Sequence, residues 1–317
     1  MSQNSLFDTN LPPAGFTHSV VNYPNRGHWG KSNWRGNCSG HIVRDALGAY
    51  FDFKSASSLF VDPSEGSGTS GDVAREMGVR YKGLDLHSGF NLLRNDLLET
   101  IGEPAQMAFW HPPYASMIQY SGNVWGSEAH PDDLSACTSI SDFIEKSQIA
   151  LMNIYDALLP DGRGVYCVLI GNMRSKGQYY DLTDMLKRVA PGTLRDVIIK
   201  QQNNCVSDRR SYRGNIVRIA HETLLVFERD SKIQSAIDFA ALVEHRLRNA
   251  RRMTWRAVVK RAVMGKGVVH LQDIYNAVEE YASKRGTNRN WSAKVRQIVR
   301  RYPDEFTPLG NGYYKAA

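Results

Sequence analysis

The sequence predicts a doubly wound α/β fold followed by a small helical module, and three features predict it. Strand-like runs alternate with helix-like spacing from Ser58 to Val189, three successive runs stop in polar or proline residues, and past Met253 the apolar spacing becomes helical. With 317 residues, 42% of them hydrophobic, the chain can bury a full core and has room for one large and one small domain.

Taken in order, residues 1 to about 30 carry scattered Pro, Asn and Gly without a sustained period, which predicts an irregular arm pinned by Trp29 and Trp34. Ile42, Val43, Ala46, Leu47 and Tyr50 then recur at helical spacing behind a cap at Asn37 or Ser39. Ser58 to Val61 reads as a buried strand running into Asp62-Pro63-Ser64-Glu65-Gly66-Ser67-Gly68-Thr69, before a helix begins at Val73. Strand, glycine turn and helix bring backbone close to a ligand. No Lys follows the glycines and their spacing is wrong for a dinucleotide site, while an acid at the strand end suits a ligand with a cationic end.

Val79 to Leu86 reads as a second strand ending at Asp85, placed where one carboxylate can accept from two ribose hydroxyls. Asn95-Asp96 is a further polar stop. Ala105 to Trp110 leads into His111-Pro112-Pro113-Tyr114, where two prolines without N–H donors end the ladder in a rigid turn. Residues 115–141 form an insertion too long for an ordinary connection. A helix (Asp142 to Leu159), a strand (Val165 to Ile170), a loop over the site (Gly171 to Tyr180) and a helix (Leu182 to Val189) continue the alternation. Asp196 to Gln201 and His221 to Phe227 predict a closing antiparallel pair, joined by a segment carrying Arg209, Arg210 and Arg213. Those arginines are either a solvated turn or phosphate contacts.

The formal charge of +7 is unevenly placed. From His245 to Ala317 there are 16 Lys/Arg against 5 Asp/Glu, which predicts a polyanion partner for the tail. The four cysteines form no Cys-x-x-Cys pair, so a zinc site or disulfide framework is not expected, and no metal is. No apolar run approaches the roughly 20 residues that span a bilayer, and the start lacks a signal-peptide pattern, so a cytoplasmic location and no membrane partner are expected.

Asp62 to Thr69, Asp85 and His111 to Tyr114, in this order, resemble the S-adenosylmethionine-dependent DNA amino-methyltransferases that modify adenine N6 or cytosine N4. The resemblance covers roughly residues 34–228 and is closest to the gamma order of motifs. It implies a seven-stranded Rossmann-like class I methyltransferase sheet and, as cofactor, S-adenosyl-L-methionine. It assigns cofactor contacts to Asn37, Cys38 and Ser39, to Asp62, Pro63, Gly66, Ser67, Gly68 and Thr69, to Asp85 and Leu86, and to Asp96. It makes His111, Pro112, Pro113 and Tyr114 the catalytic turn, with Tyr114 stacking on an extruded base and the amine donating to residue 111 and to the Pro112 carbonyl.

The chain departs from the family at His111, where Asp, Asn or Ser is usual. A neutral imidazole keeps one acceptor nitrogen, whereas a protonated one only donates. The expected activity is therefore DNA methylation, adenine N6 preferred, in a bacterial, phage or plasmid setting. A catalytically silent DNA-binding regulator, a cytosine-N4 enzyme and an RNA or protein methyltransferase are the alternatives. A homodimer and a cognate restriction endonuclease are partners the resemblance allows.

The tail repeats helical spacing at Trp255 to Val263, Leu271 to Val278 and Trp291 to Val299, then carries two short strands about Asn311-Gly312. This resembles winged-helix domains of restriction and modification systems. The expected division is a methyltransferase domain at 1–230, a helical linker at 231–252 and a winged helix at 253–317. Arg289, Asn290, Lys294, Arg296, Arg300 and Arg301 would face DNA.

Overall fold

The computed structural model describes residues 15–175, 177–204, 216–230, 254–263, 266–285 and 290–316. The expected linker at 231–252 lies outside these residues. The chain opens with β1 (Val20–Asn22), α1 (Gly40–Tyr50), β2 (Phe60–Asp62), α2 (Thr69–Glu76) and β3 (Tyr81–Gly83). It continues through α3 (Leu97–Ile101), β4 (Met107–Trp110), α4 (Ile140–Asp156), β5 (Gly164–Ile170), a hairpin of β6 (Met173–Ser175) and β7 (Gln178–Tyr180), and α5 (Leu182–Val189). The antiparallel pair β8 (Thr193–Gln201) and β9 (His221–Arg229) follows.

Seven strands form one Rossmann-like sheet in the order β1-β8-β9-β5-β4-β2-β3, in which β9 alone runs against its neighbours. The outermost strand beside β8 is β1, so the arm is not irregular throughout. Val20 to Asn22 is too short to show a period, and its pairing with Ile199 to Gln201 is supplied by the sheet.

Strand residues divide by parity between two apolar layers. Val165, Cys167 and Leu169 of β5 face α1 and α2, while Tyr166, Val168 and Ile170 face α3, α4 and α5. Both faces are covered, which is why β4 and β5 read as unbroken apolar runs.

The carboxyl-terminal module comprises α6 (Trp255–Val263), β10 (Val268–His270), α7 (Leu271–Arg285), α8 (Trp291–Arg301), β11 (Phe306–Gly310) and β12 (Tyr313–Ala316). A third strand, β10, joins the two expected ones, giving the order β10-β12-β11. Its core takes in Met152 of α4, so the module is seated on the body. The seam is charged: Glu305 accepts from Arg256 through both oxygens at 2.6 and 3.2 Å and from Arg229 at 3.4 Å, while Lys260 bridges to Asp156 at 2.6 Å. Burial works against charge on Asp156, but Lys260, Arg256 and Arg229 hold its carboxyl below the ordinary range.

Candidate functional site

β2 and β4 are adjacent and parallel, with Phe60 opposite Met107 and Val61 opposite Ala108. The turns after Asp62 and Trp110 therefore leave the sheet side by side, at the carboxyl edge where open α/β sheets hold ligands. Between them lies a cleft with about 880 Å³ of empty space, counting its open mouth. Asn37, Cys38, Asp62, Pro63, Gly66, Ser67, Thr69, Asp85, Leu86, His111 and Pro113 all line it.

Asp62 is only 4% exposed. Its carboxylate accepts from the Ser64 amide at 3.0 Å and the Ser70 hydroxyl at 2.5 Å, and no Lys, Arg or His among the described residues forms an ion pair with it. Burial, with Glu65 and Asp85 adding to it, pushes its pKa up to about 7 against those two hydrogen bonds. Gly68 caps α2 at φ +84°, a left-handed conformation that would strain any L-residue even though the space around its Cα is open. The Asn37 carbonyl receives both Ser67 (2.8 Å) and Thr69 (2.5 Å), tying the arm to the glycine turn.

Asp85 is already heavily engaged. One oxygen accepts from the His87 amide (3.0 Å) and ring (2.6 Å), the other from the Gly66 amide (2.9 Å). That leaves one acceptor site for a ligand where the resemblance implies two. The hydrogen bond to Asp85 raises the pKa of His87.

Four assigned residues have other work. Asp96 caps α3 by accepting from the Glu99 amide at 2.9 Å and takes the Tyr302 hydroxyl at 3.4 Å, so it stands at the body–module junction, away from the cleft. Ser39 caps α1. Pro112 is buried. The Tyr114 ring packs against the core, where Gly171 makes space for it: a Cβ on Gly171 would stand 2.7 Å from the ring. The chain then leaves through Ala115 at φ +46°, a conformation costing an L-residue about 1–2 kcal/mol.

The aromatic rings lining the cleft are instead Trp34, Phe90, Tyr120 and Trp125, with Trp34 and Tyr120 stacked at 6.4 Å. The last two come from the insertion. It is shaped by Asp133, which accepts from the Ser121 amide and hydroxyl, and by Asp132, which accepts from Asn91 and Arg94.

Sequence reasoning missed a relay behind His111. Its Nε2 lies 3.0 Å from the Tyr114 hydroxyl, which donates to Glu222 at 2.5 Å. Glu222 in turn accepts from Lys200 at 2.6 Å, its direct partner across β8 and β9. The signal was present as an acid opening the apolar run Thr223 to Phe227. Burial lowers the His111 pKa, with Lys200 assisting and Glu222 opposing, so the ring is neutral near pH 7.

In the module, Lys294 and Arg301 reach Glu99 of the body at 4.0 and 3.2 Å, and Arg296 donates to the Tyr275 hydroxyl. Arg300 and Asn290 are exposed. Arg209, Arg210, Arg213 and Arg289 lie outside the described residues. Among the described residues no helix is long and apolar enough to cross a membrane, and no His/Cys/Asp/Glu cluster could hold a metal ion.

No protein-family profile matches the chain, and no curated protein matches it in sequence. Similar solved structures include TrmN from Thermus thermophilus, 11% identical with a TM-score of 0.32 over 62% of this chain and 50% of that one. A SAM-dependent methyltransferase from Archaeoglobus fulgidus is 12% identical, with a TM-score of 0.32 over 60% of this chain and 95% of its own. A protein assigned as a DNA modification methylase, also from Thermus thermophilus and solved with S-adenosyl-L-methionine, is 14% identical, with a TM-score of 0.27 over 67% and 95%. The chain thus spans half the length of TrmN.

Proposed function

We propose that the chain is a DNA amino-methyltransferase that uses S-adenosyl-L-methionine to methylate the exocyclic amine of an extruded base, adenine N6 preferred. The observation carrying this reading is the shared cleft, in which a buried acid without a cation and the His111 turn face the same space from adjacent strands.

The donor set fits the cofactor. Asp62 offers a desolvated carboxylate to a cationic amino group, Asp85 keeps one acceptor site for a ribose hydroxyl, and Trp34 and Tyr120 offer apolar walls. When bound, the cofactor supplies an electrophilic methyl group. His111 accepts one N–H of the target amine, which raises electron density on its nitrogen and holds it in line.

The module follows the helix–strand–helix–helix–strand–strand order of a winged helix. We assign DNA contact to α8 through exposed Arg296 and Arg300. Lys294 and Arg301 share Glu99 in solvent-exposed pairs weak enough to exchange for phosphate.

The test is nucleoside mass spectrometry after incubating the protein with isotopically labelled cofactor and duplex DNA. Labelled N6-methyladenine is expected, and labelled N4-methylcytosine would move the base assignment. Cofactor binding with no transfer to duplex, single strand or RNA would overturn the enzyme in favour of a silent DNA-binding protein.

A further inference from the structure

We infer that Glu222, held by Lys200, is a positioning residue that sets the tautomer of His111 through the Tyr114 hydroxyl, leaving Nδ1 as the ring's only acceptor toward the target amine. The role toward the amine rests on the methyl-transfer reading above; the tautomer does not.

A carboxylate at position 111 accepts from an amine through either oxygen. A neutral imidazole accepts through one nitrogen alone, and which one depends on where its single proton sits. An enzyme with histidine here therefore needs a device that chooses. The relay supplies one. Tyr114 has one proton and stands between two partners, Glu222 at 2.5 Å and His111 Nε2 at 3.0 Å.

Three observations decide where that proton points. Lys200 and Glu222 are 8% and 7% exposed and lie 2.6 Å apart, directly across an antiparallel pair. Burial alone would raise the pKa of Glu222, but the Lys200 ammonium beside it holds it below its ordinary value, so it stays a carboxylate that only accepts. Burial and the neighbouring Glu222 keep the Tyr114 phenol protonated. The phenol proton thus goes to Glu222, and the phenol oxygen presents a lone pair to Nε2. Only a protonated Nε2 satisfies that contact, so the neutral ring carries its hydrogen on Nε2 and leaves Nδ1 bare. Nδ1 has no hydrogen-bond partner among the described residues, and His111 lines the cleft.

Glu222→Gln should reverse the arrangement. Lys200 can only donate, so it draws the new amide's oxygen and turns the amide N–H₂ toward Tyr114. The phenol then accepts from the amide and donates to Nε2, which moves the ring hydrogen to Nδ1 and removes the acceptor. Tyr114→Phe removes the relay while keeping the Glu222–Lys200 pair, and serves if the first variant does not fold.

The readout is ¹⁵N NMR of the His111 ring in the cofactor-free protein, assigned through the loss of its signals in His111→Asp. The wild type should show a protonated Nε2 and a bare Nδ1, Glu222→Gln the reverse, and Tyr114→Phe a mixture. In methyl transfer, Glu222→Gln should lower kcat by roughly 10²- to 10⁴-fold with little change in KM, the range expected when a positioned acceptor is lost. The same change in the His111→Asp background should cost much less, because a carboxylate needs no tautomer.

A bare Nε2 in the wild type, or a tautomer indifferent to both variants, overturns the inference. The predicted tautomer in a wild type that transfers no methyl group would sink the proposed function and leave the tautomer assignment standing.

Discussion

Two regions of this molecule bury carboxylates and treat them oppositely. At the seam between body and module, Glu305 accepts from Arg256, Lys260 and Arg229, and Asp156 from Lys260. At the floor of the cleft, Asp62 is equally hidden but receives only an amide and a hydroxyl, with Glu65 and Asp85 adding to the pressure on its charge. The seam carboxylate Asp156 is held below its ordinary pKa, whereas Asp62 is raised to about 7. A buried acid saturated with cations holds architecture together, while one left short of a cation is a seat for a cation from outside.

The largest effect should come from breaking the saturated side. Glu305→Ala strands Arg256, which is 4% exposed, and should cost about 3–5 kcal/mol in urea unfolding. A change near zero would mean the seam charges are incidental. Next, Asp62→Asn should leave unfolding nearly unchanged but weaken S-adenosyl-L-methionine binding at neutral pH by about 1.5–3 kcal/mol, read by calorimetry.

A smaller effect is expected of Arg296→Ala with Arg300→Ala, which should flatten the salt dependence of DNA binding by about one unit of slope per lost phosphate contact. The smallest belongs to Glu99→Ala, whose exposed pair with Arg301 should be worth about 0.2–1 kcal/mol. It should leave DNA affinity equal or tighter, because Arg301 is released.

The unsaturated side was legible in the sequence and the saturated side was not, for a physical reason. Asp62 and His111 announce themselves because each ends an apolar run, and Asp85 because it follows a short strand, and parallel strands carry such ends to one edge. The seam is hidden inside a count: Arg256 and Lys260 contributed to the basic tail, yet their charge is spent on Asp156 and Glu305. Net charge says nothing about pairing.

Asp96 shows the opposite error. Its position suited a cofactor contact, but Asp96-Leu97-Leu98-Glu99 also has the spacing of a capping signature, and the cap is what it makes. The Lys200–Glu222 pair depends on register across two strands whose joining residues include the basic segment, and no local pattern encodes register.

The claim that Asp62 awaits a cation is tested most directly by proton release on binding S-adenosyl-L-methionine. At pH 6 the free acid, with its pKa raised to about 7, is mostly protonated, and a cationic amino group beside it must draw that pKa down and expel the proton. Calorimetry in buffers of different ionisation enthalpy should therefore find close to one proton released by the wild type at pH 6 and none by Asp62→Asn, with wild-type affinity rising as pH approaches 7. Binding without proton release, or with the same release in both proteins, would contradict the account.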